Sequence, residues 1–173
     1  LKLPNGQEIK GEYDMEMDGK IDDVKSASPW SYKNKFDSFN TLNEDDSFGY
    51  VAQLVGYAEA AGKGVGGWWV VNKGNGEFKY VDASEVNTEE VINGIQATVD
   101  YIENDEPFKR CYEPVPETYF KKPSGNLVLN SKCHFCDFKH KCWDLKELPS
   151  RVYKGKKEAP LVEYVLVGDG RAA

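Results

Sequence analysis

The sequence predicts an α/β (α+β) fold in which one mixed central sheet is flanked by helices and a smaller Cys-bearing module follows. Three observations predict it. Asp18-Gly19 marks a tight hairpin, strand and helix patterns then succeed one another as hairpin, helix, hairpin, helix, and at Pro107 the composition shifts towards Lys, Pro and Cys. The expected division is therefore a core over residues 1–106 and a basic region over 107–173 packed on it. At 173 residues, with 40% apolar and 13% aromatic side chains, the chain has ample material for a core, which excludes a disordered protein.

Both residues of Asp18-Gly19 tolerate the positive φ of a two-residue I′ turn, so residues whose numbers sum to about 37 face each other by this turn rule. Met17 then faces Lys20, Glu16 faces Ile21, Met15 faces Asp22 and Asp14 faces Asp23, while Lys25 shares the Asp23 face. The second strand ends at Pro29, and the mixed stretch after it reads as a loop with a short helix. Asp45-Asp46-Ser47 opens a helix over Phe48 to Ala61 that Gly62 stops; Leu54, Tyr57, Ala58 and Ala61 recur on its inner face. Val65 to Val71 and Glu77 to Val81 form a second hairpin around Gly74-Asn75-Gly76, with Trp68 and Trp69 on opposite faces. Asn87-Thr88-Glu89-Glu90 starts another helix that runs towards Pro107. Beyond Pro107 periodicity weakens, and an irregular segment with little apolar core of its own is expected. No run reaches the roughly 20 apolar residues of a membrane span, and no secretory signal opens the chain, so a soluble, cytoplasmic protein is expected. The chain opens on Leu1 rather than Met, which suggests an internal start.

Two opposed carboxylates repel unless a cation lies between them. Hard divalent ions such as Mg²⁺ or Mn²⁺ take oxygen ligands, keep several waters and are held by one or two carboxylates together with substrate phosphates. Asp23-Val24-Lys25 accordingly reads as ligand, backbone carbonyl and positioned ammonium, with Asp14 as the facing ligand. A solvated hairpin face explains the same residues, with Lys25 pairing across the strands to Glu12.

All four cysteines lie in the last third, as Cys111 and the run Cys133, Cys136, Cys142 within CHFCDFKHKC. Short Cys spacing in a cytoplasmic chain indicates a metal site more often than disulfides, and four thiolates suit Zn²⁺ or an iron–sulfur cluster. His134 and His140 are alternatives to Cys111 as a zinc ligand, and a buried hydrophobe is another reading of Cys111. Charge is distributed unevenly. Residues 107 to 157 carry 12 Lys and Arg against 5 Asp and Glu, whereas the remainder carries 10 against 24, so an acidic body adjoins a segment suited to tracking phosphates.

With both constellations identified, the chain resembles the RecB-like branch of the PD-(D/E)XK nuclease superfamily, which includes RecB and AddB nuclease domains, CRISPR adaptation-associated exonucleases and phage exonucleases. IKGEYDMEMDGKIDDVKSAS is similar to the branch's Gly-x-x-Asp strand and Asp-x-Lys strand, Gln53 and Tyr57 match its QxxxY helix, and Cys133, Cys136 and Cys142 match its C-terminal C-x2-C-x5-C. The resemblance implies a restriction-endonuclease-like core. It also implies Asp14 and Asp23 as ligands of Mg²⁺ or Mn²⁺ with the Val24 carbonyl, Lys25 as catalytic lysine, and Gln53 and Tyr57 as DNA-positioning residues. A [4Fe–4S] cluster on Cys111, Cys133, Cys136 and Cys142 would follow, with Zn²⁺ as the alternative. The branch's first cysteine ordinarily precedes the Gly-x-x-Asp strand, and none does here; the superfamily's opening helix is likewise not found before that strand. The function implied is a DNA exonuclease of phage or bacterial DNA processing, partnered with DNA and with a helicase or recombination protein. The rivals are a catalytically inactive DNA-binding or partner-docking module and, more weakly, a hydrolase of small phosphorylated substrates.

Overall fold

A computed structural model describes residues 1–107, 109–150 and 157–168. The chain forms two compact units, Leu1–Glu106 and Pro107–Ala173. Each carries a four-stranded sheet.

In the first unit β1 (Met15–Met17) and β2 (Lys20–Ala27) form the expected hairpin, with Met15 facing Asp22, Glu16 facing Ile21 and Met17 facing Lys20. Asp18 and Gly19 both take positive φ, 49° and 75°, as the turn demands. Two short helices follow where one was expected: α1 (Pro29–Asn34), capped by the Ser28 hydroxyl, and α2 (Phe39–Glu44), capped by that of Ser38. The third helix, α3 (Tyr50–Ala61), starts two residues later than the sequence pattern suggests. Asp46 accepts from the amides of Tyr50 and Val51 at 2.9 and 2.8 Å, and Gly62 closes the helix with φ 64°. The chain then returns as β3 (Gly64–Asn72), parallel to β2, and turns into β4 (Phe78–Asp82), antiparallel to β3. Helix α4 (Thr88–Glu103), capped by Asn87, contacts α3. The sheet order is β1-β2-β3-β4, a mixed sheet as expected.

The core gathers Ile21 and Ala27 of β2, Val51, Leu54, Val55 and Ala58 of α3, and Val65, Trp68 and Val70 of β3. Trp68 is fully buried and stacks on Phe39, whereas Trp69 lies on the other face with Phe78 and Tyr80. Full burial of such side chains stabilises by roughly 1.5–3 kcal/mol each. This layer fixes α3 against β2, and with it the spacing between their facing side chains.

The second unit corrects the expectation of an irregular segment. Strands β5 (Val115–Tyr119) and β6 (Lys122–Val128) form a hairpin, and β7 (Lys146–Pro149) and β8 (Leu161–Leu166) complete an antiparallel sheet in the order β5-β6-β8-β7. The β5–β6 turn uses Phe120 and Lys121 at φ 48° and 64°. Neither residue signals such a turn in a sequence, which is why the strands were not legible. The cysteine run lies between β6 and β7, with a 3₁₀ turn at Ser131–Cys133 and the one-turn α5 (Lys139–Cys142). The basic residues Arg151, Lys154 and Lys156 fall outside the described residues. No helix among the described residues is long and apolar enough to cross a membrane.

Candidate metal and phosphate site

Strand alternation would send Asp22 and Asp23 to opposite faces of β2, and a bulge in β3 secures the separation. Ile21 faces Val65 but Asp23 faces Trp68, so Gly66 and Gly67 together oppose Asp22. A Cβ on Gly66 would lie 1.9 Å from Asp22 Oδ1, so only glycine leaves room for the carboxylate. Asp22 there accepts from the Gly67 amide (2.8 Å), the Tyr80 hydroxyl (2.9 Å) and Trp69 Nε1 (3.3 Å). Burial and this carboxylate push the Tyr80 phenol up. Asp22 is therefore a structural acid whose oxygens are occupied by donors.

Asp23 faces α3 and has different company. Lys25 Nζ stands 2.7 Å from its Oδ2, and the same ammonium donates to Gln53 Oε1 at 2.8 Å. The Asp23 contact is close in distance yet lacks the alignment of a hydrogen bond, so this water-inaccessible oxygen is neutralised in charge but accepts no aligned donor. Gln53 Nε2 donates to the Tyr57 hydroxyl at 3.3 Å, and Lys25 lies 4.9 Å from the centre of the Tyr50 ring. Gly11 lies against Tyr57, where a Cβ would come within 2.6 Å of the ring. Glu12 is exposed and Lys25 is directed to Asp23 and Gln53 rather than across the hairpin.

Asp14 differs in one respect from the expected pairing. The β1 ladder ends at Met15, and Asp14 continues it with its side chain: Oδ2 accepts from the Val24 amide at 2.8 Å. Its carboxylate nevertheless comes up against that of Asp23. Burial is the main cause that raises the Asp23 carboxyl above its ordinary range; Lys25 opposes the rise, and the Asp14 charge adds to it. The result is a pair of hard oxygen donors, one of them buried and matched by a single ammonium.

That donor set fits a divalent cation of the Mg²⁺ or Mn²⁺ kind held by two carboxylates and completed by water and phosphate. Among the described residues no group of three or more His, Cys, Asp or Glu side chains is arranged to hold a metal ion. The cysteines fall under the same statement, but they do converge. The Cys133 thiol is pushed up by burial and then by charge on Cys136, Cys142 and Cys111, so each of those three lies within electrostatic reach of Cys133. Proximity and coordination are different criteria, and only the first is met; the soft donor set still suits Zn²⁺ or an iron–sulfur cluster. All four are free thiols, with Cys111 exposed. Arg110 stacks on Trp143 at 4.0 Å and donates to the Cys142 carbonyl at 3.0 Å, which ties the residue beside Cys111 to the end of the run.

Sequence reasoning did not single out Tyr50, Gly66 or Gly67, whereas Asp46 was read as part of a helix start and does cap α3. Tyr50 had a readable signal, since residues 50, 53 and 57 share one helical face at i, i+3 and i+7. The glycine pair had none, because its role is to make room for a side chain of another strand. Comparison with protein-family models, with curated proteins and with solved structures finds no match to this chain.

Proposed function

We propose that this chain is a Mg²⁺- or Mn²⁺-dependent DNA nuclease of the PD-(D/E)XK type, RecB-like branch, acting as an exonuclease in phage or bacterial DNA processing or recombination. The observation that carries the reading is the convergence of Asp14, Asp23, Lys25, Gln53 and Tyr57 on one face between β2 and α3. Asp14 and Asp23 would hold the metal, which when bound would supply an activated water and charge neutralisation at the scissile phosphate. Lys25, held between Asp23 and Gln53, carries the positive charge that stabilises charge developing on the phosphate oxygens. Gln53 and Tyr57 orient Lys25 and offer polar groups to the strand. Cys111, Cys133, Cys136 and Cys142 would hold a [4Fe–4S] cluster or Zn²⁺, and the Lys and Arg residues between 107 and 157 would grip the backbone.

Asp23→Ala is expected to abolish cleavage of free-ended DNA in both Mg²⁺ and Mn²⁺ while the circular dichroism spectrum stays that of the parent chain. Unchanged cleavage would sink the reading. One observation favours a second reading, a catalytically inactive DNA-binding or partner-docking module: among the described residues no third carboxylate joins the two at the site, and Lys25 already balances one of them. That module would bind DNA with a steep salt dependence and cleave it in no divalent metal.

A further inference from the structure

Beside Lys25 a ladder of three nearly parallel rings runs from the core to the surface. Phe36, 3% exposed, stacks on Tyr50 with ring centres 5.8 Å apart, and Tyr50 stacks on Phe48 at 5.6 Å with 17° between the ring planes. Phe48 is 62% exposed. Gly49, between them, is in the left-handed region at φ 71°, which bends the chain so that ring 48 lies beside ring 50. Lys35 Nζ lies 4.8 Å from the Phe48 ring centre and 5.1 Å from that of Tyr50, and Lys25 Nζ lies 4.9 Å from Tyr50. Of the two acids whose charge acts on Tyr50, Asp46 is committed to the first amides of α3 and Asp23 is paired with Lys25. A solvent-facing aromatic with one ammonium beside it, stacked on a ring that Lys25 also approaches, therefore adjoins the site.

We propose that Phe48, backed by Tyr50 and Lys35, is a stacking platform for a base of single-stranded DNA whose phosphate lies at Asp23 and Lys25. The proposal rests on the nuclease reading of that site and adds the form of the substrate. Every nucleobase has a face that stacks on an aromatic ring, and nearby cations attract the phosphates. In a duplex those faces are covered by neighbouring bases, so the platform discriminates in favour of a single strand or a frayed end. Anchoring to Phe36 keeps the ring in place before a base arrives, which limits the ordering cost of binding.

The test is fluorescence anisotropy of the full chain without added divalent metal, using a labelled thymidylate oligomer, an abasic strand of equal length and a blunt duplex. Phe48→Ala should weaken binding of the thymidylate strand about tenfold and leave the abasic strand and the duplex unchanged; Phe48→Trp should restore it. Equal binding of thymidylate by Phe48→Ala and the parent, or an equal loss on the abasic strand or duplex, overturns the platform. Cleavage in Mg²⁺ is read separately. Phe48-dependent binding without cleavage supports the platform and removes the nuclease, and cleavage with Phe48-independent binding does the reverse.

Discussion

Asp23 in the first sheet and Glu117 in the second are both inward-turned carboxylates, yet their surroundings move them in opposite directions. Around Glu117, burial opposes ionisation, but the hydroxyls of Tyr119 and Tyr164 donate to one oxygen and Ser124 and Asn126 to the other, holding the carboxyl at about 2. Tyr164 is fully buried and Asn126 nearly so, and the Asn126 carbonyl oxygen accepts in turn from the Gly168 amide at 3.0 Å. Asp23 is also buried, but a second carboxylate and a single lysine face it, and it is raised. Burial alone does not separate a structural acid from a reactive one. Four donors that fill both oxygens of a carboxylate make it a joint of the fold, whereas burial with one ammonium and a second carboxylate nearby leaves negative charge that a further cation would balance.

The most severe way to break the contrast is Asp23→Asn. A steady-state nuclease assay should show a loss of roughly 10³-fold, the scale of removing a charge-stabilising group, while the melting temperature at neutral pH holds or rises because a buried charge has gone. A parallel fall in melting temperature would place Asp23 in the same class as Glu117.

Glu117→Leu should do the opposite, leaving the chemistry of the first unit intact while stranding four donors. Denaturant unfolding is expected to show a loss of about 3 kcal/mol. Gly66→Ala tests the bulge that keeps Asp22 apart from Asp23. The added Cβ would meet Asp22 Oδ1 at 1.9 Å and the Ile21 carbonyl oxygen at 2.8 Å, so unfolding should cost about 2 kcal/mol through overpacking. A neutral result would mean that β3 can shift and that the bulge does not fix the aspartates.

The gentlest test is pH. The folded value of Glu117 lies below its ordinary 4.5, so its contribution to stability is present above that value and is lost as pH falls through about 2. The folded value of Asp23 lies above its ordinary 3.8, so its contribution is present below 3.8 and is lost as pH rises through the raised value. Thermal melts across pH 2 to 7 should therefore show Asp23→Asn gaining stability over the parent towards neutrality, and Glu117→Gln losing the parent's acid-side slope. Added Mg²⁺ should stabilise the parent more at pH 7 than at pH 4, since the ion binds the ionised carboxylates.

Much of the first unit was legible because its signals are local. Asp18-Gly19 fixes the hairpin register by turn geometry alone, and Gly62 and Asn87 mark helix ends through their own backbone and side chains. The second sheet was not legible because Pro116, Pro123 and Gly125 interrupt its strands, and its hairpin turns on Phe120 and Lys121. Lys25 was placed on the right face, but the choice between Glu12 and Gln53 as its neighbour depended on how closely α3 packs on β2.

The sequence by itself determined that Asp14, Asp23 and Lys25 lie together at one hairpin, since a two-residue turn and strand alternation leave little freedom over so short a span. It likewise determined that four thiols share one third of the chain. Only the tertiary structure decided that the neighbouring Asp22 is filled with donors from β3 and β4. It also decided that Tyr50 and Gln53 stand beside Lys25, with Tyr57 bonded to Gln53, and that Phe48 is held at the surface against Tyr50. Those outcomes depend on groups 28 to 58 residues apart in the chain, brought together by packing of α3, β3 and β4 on β2, and no local rule encodes such a distance.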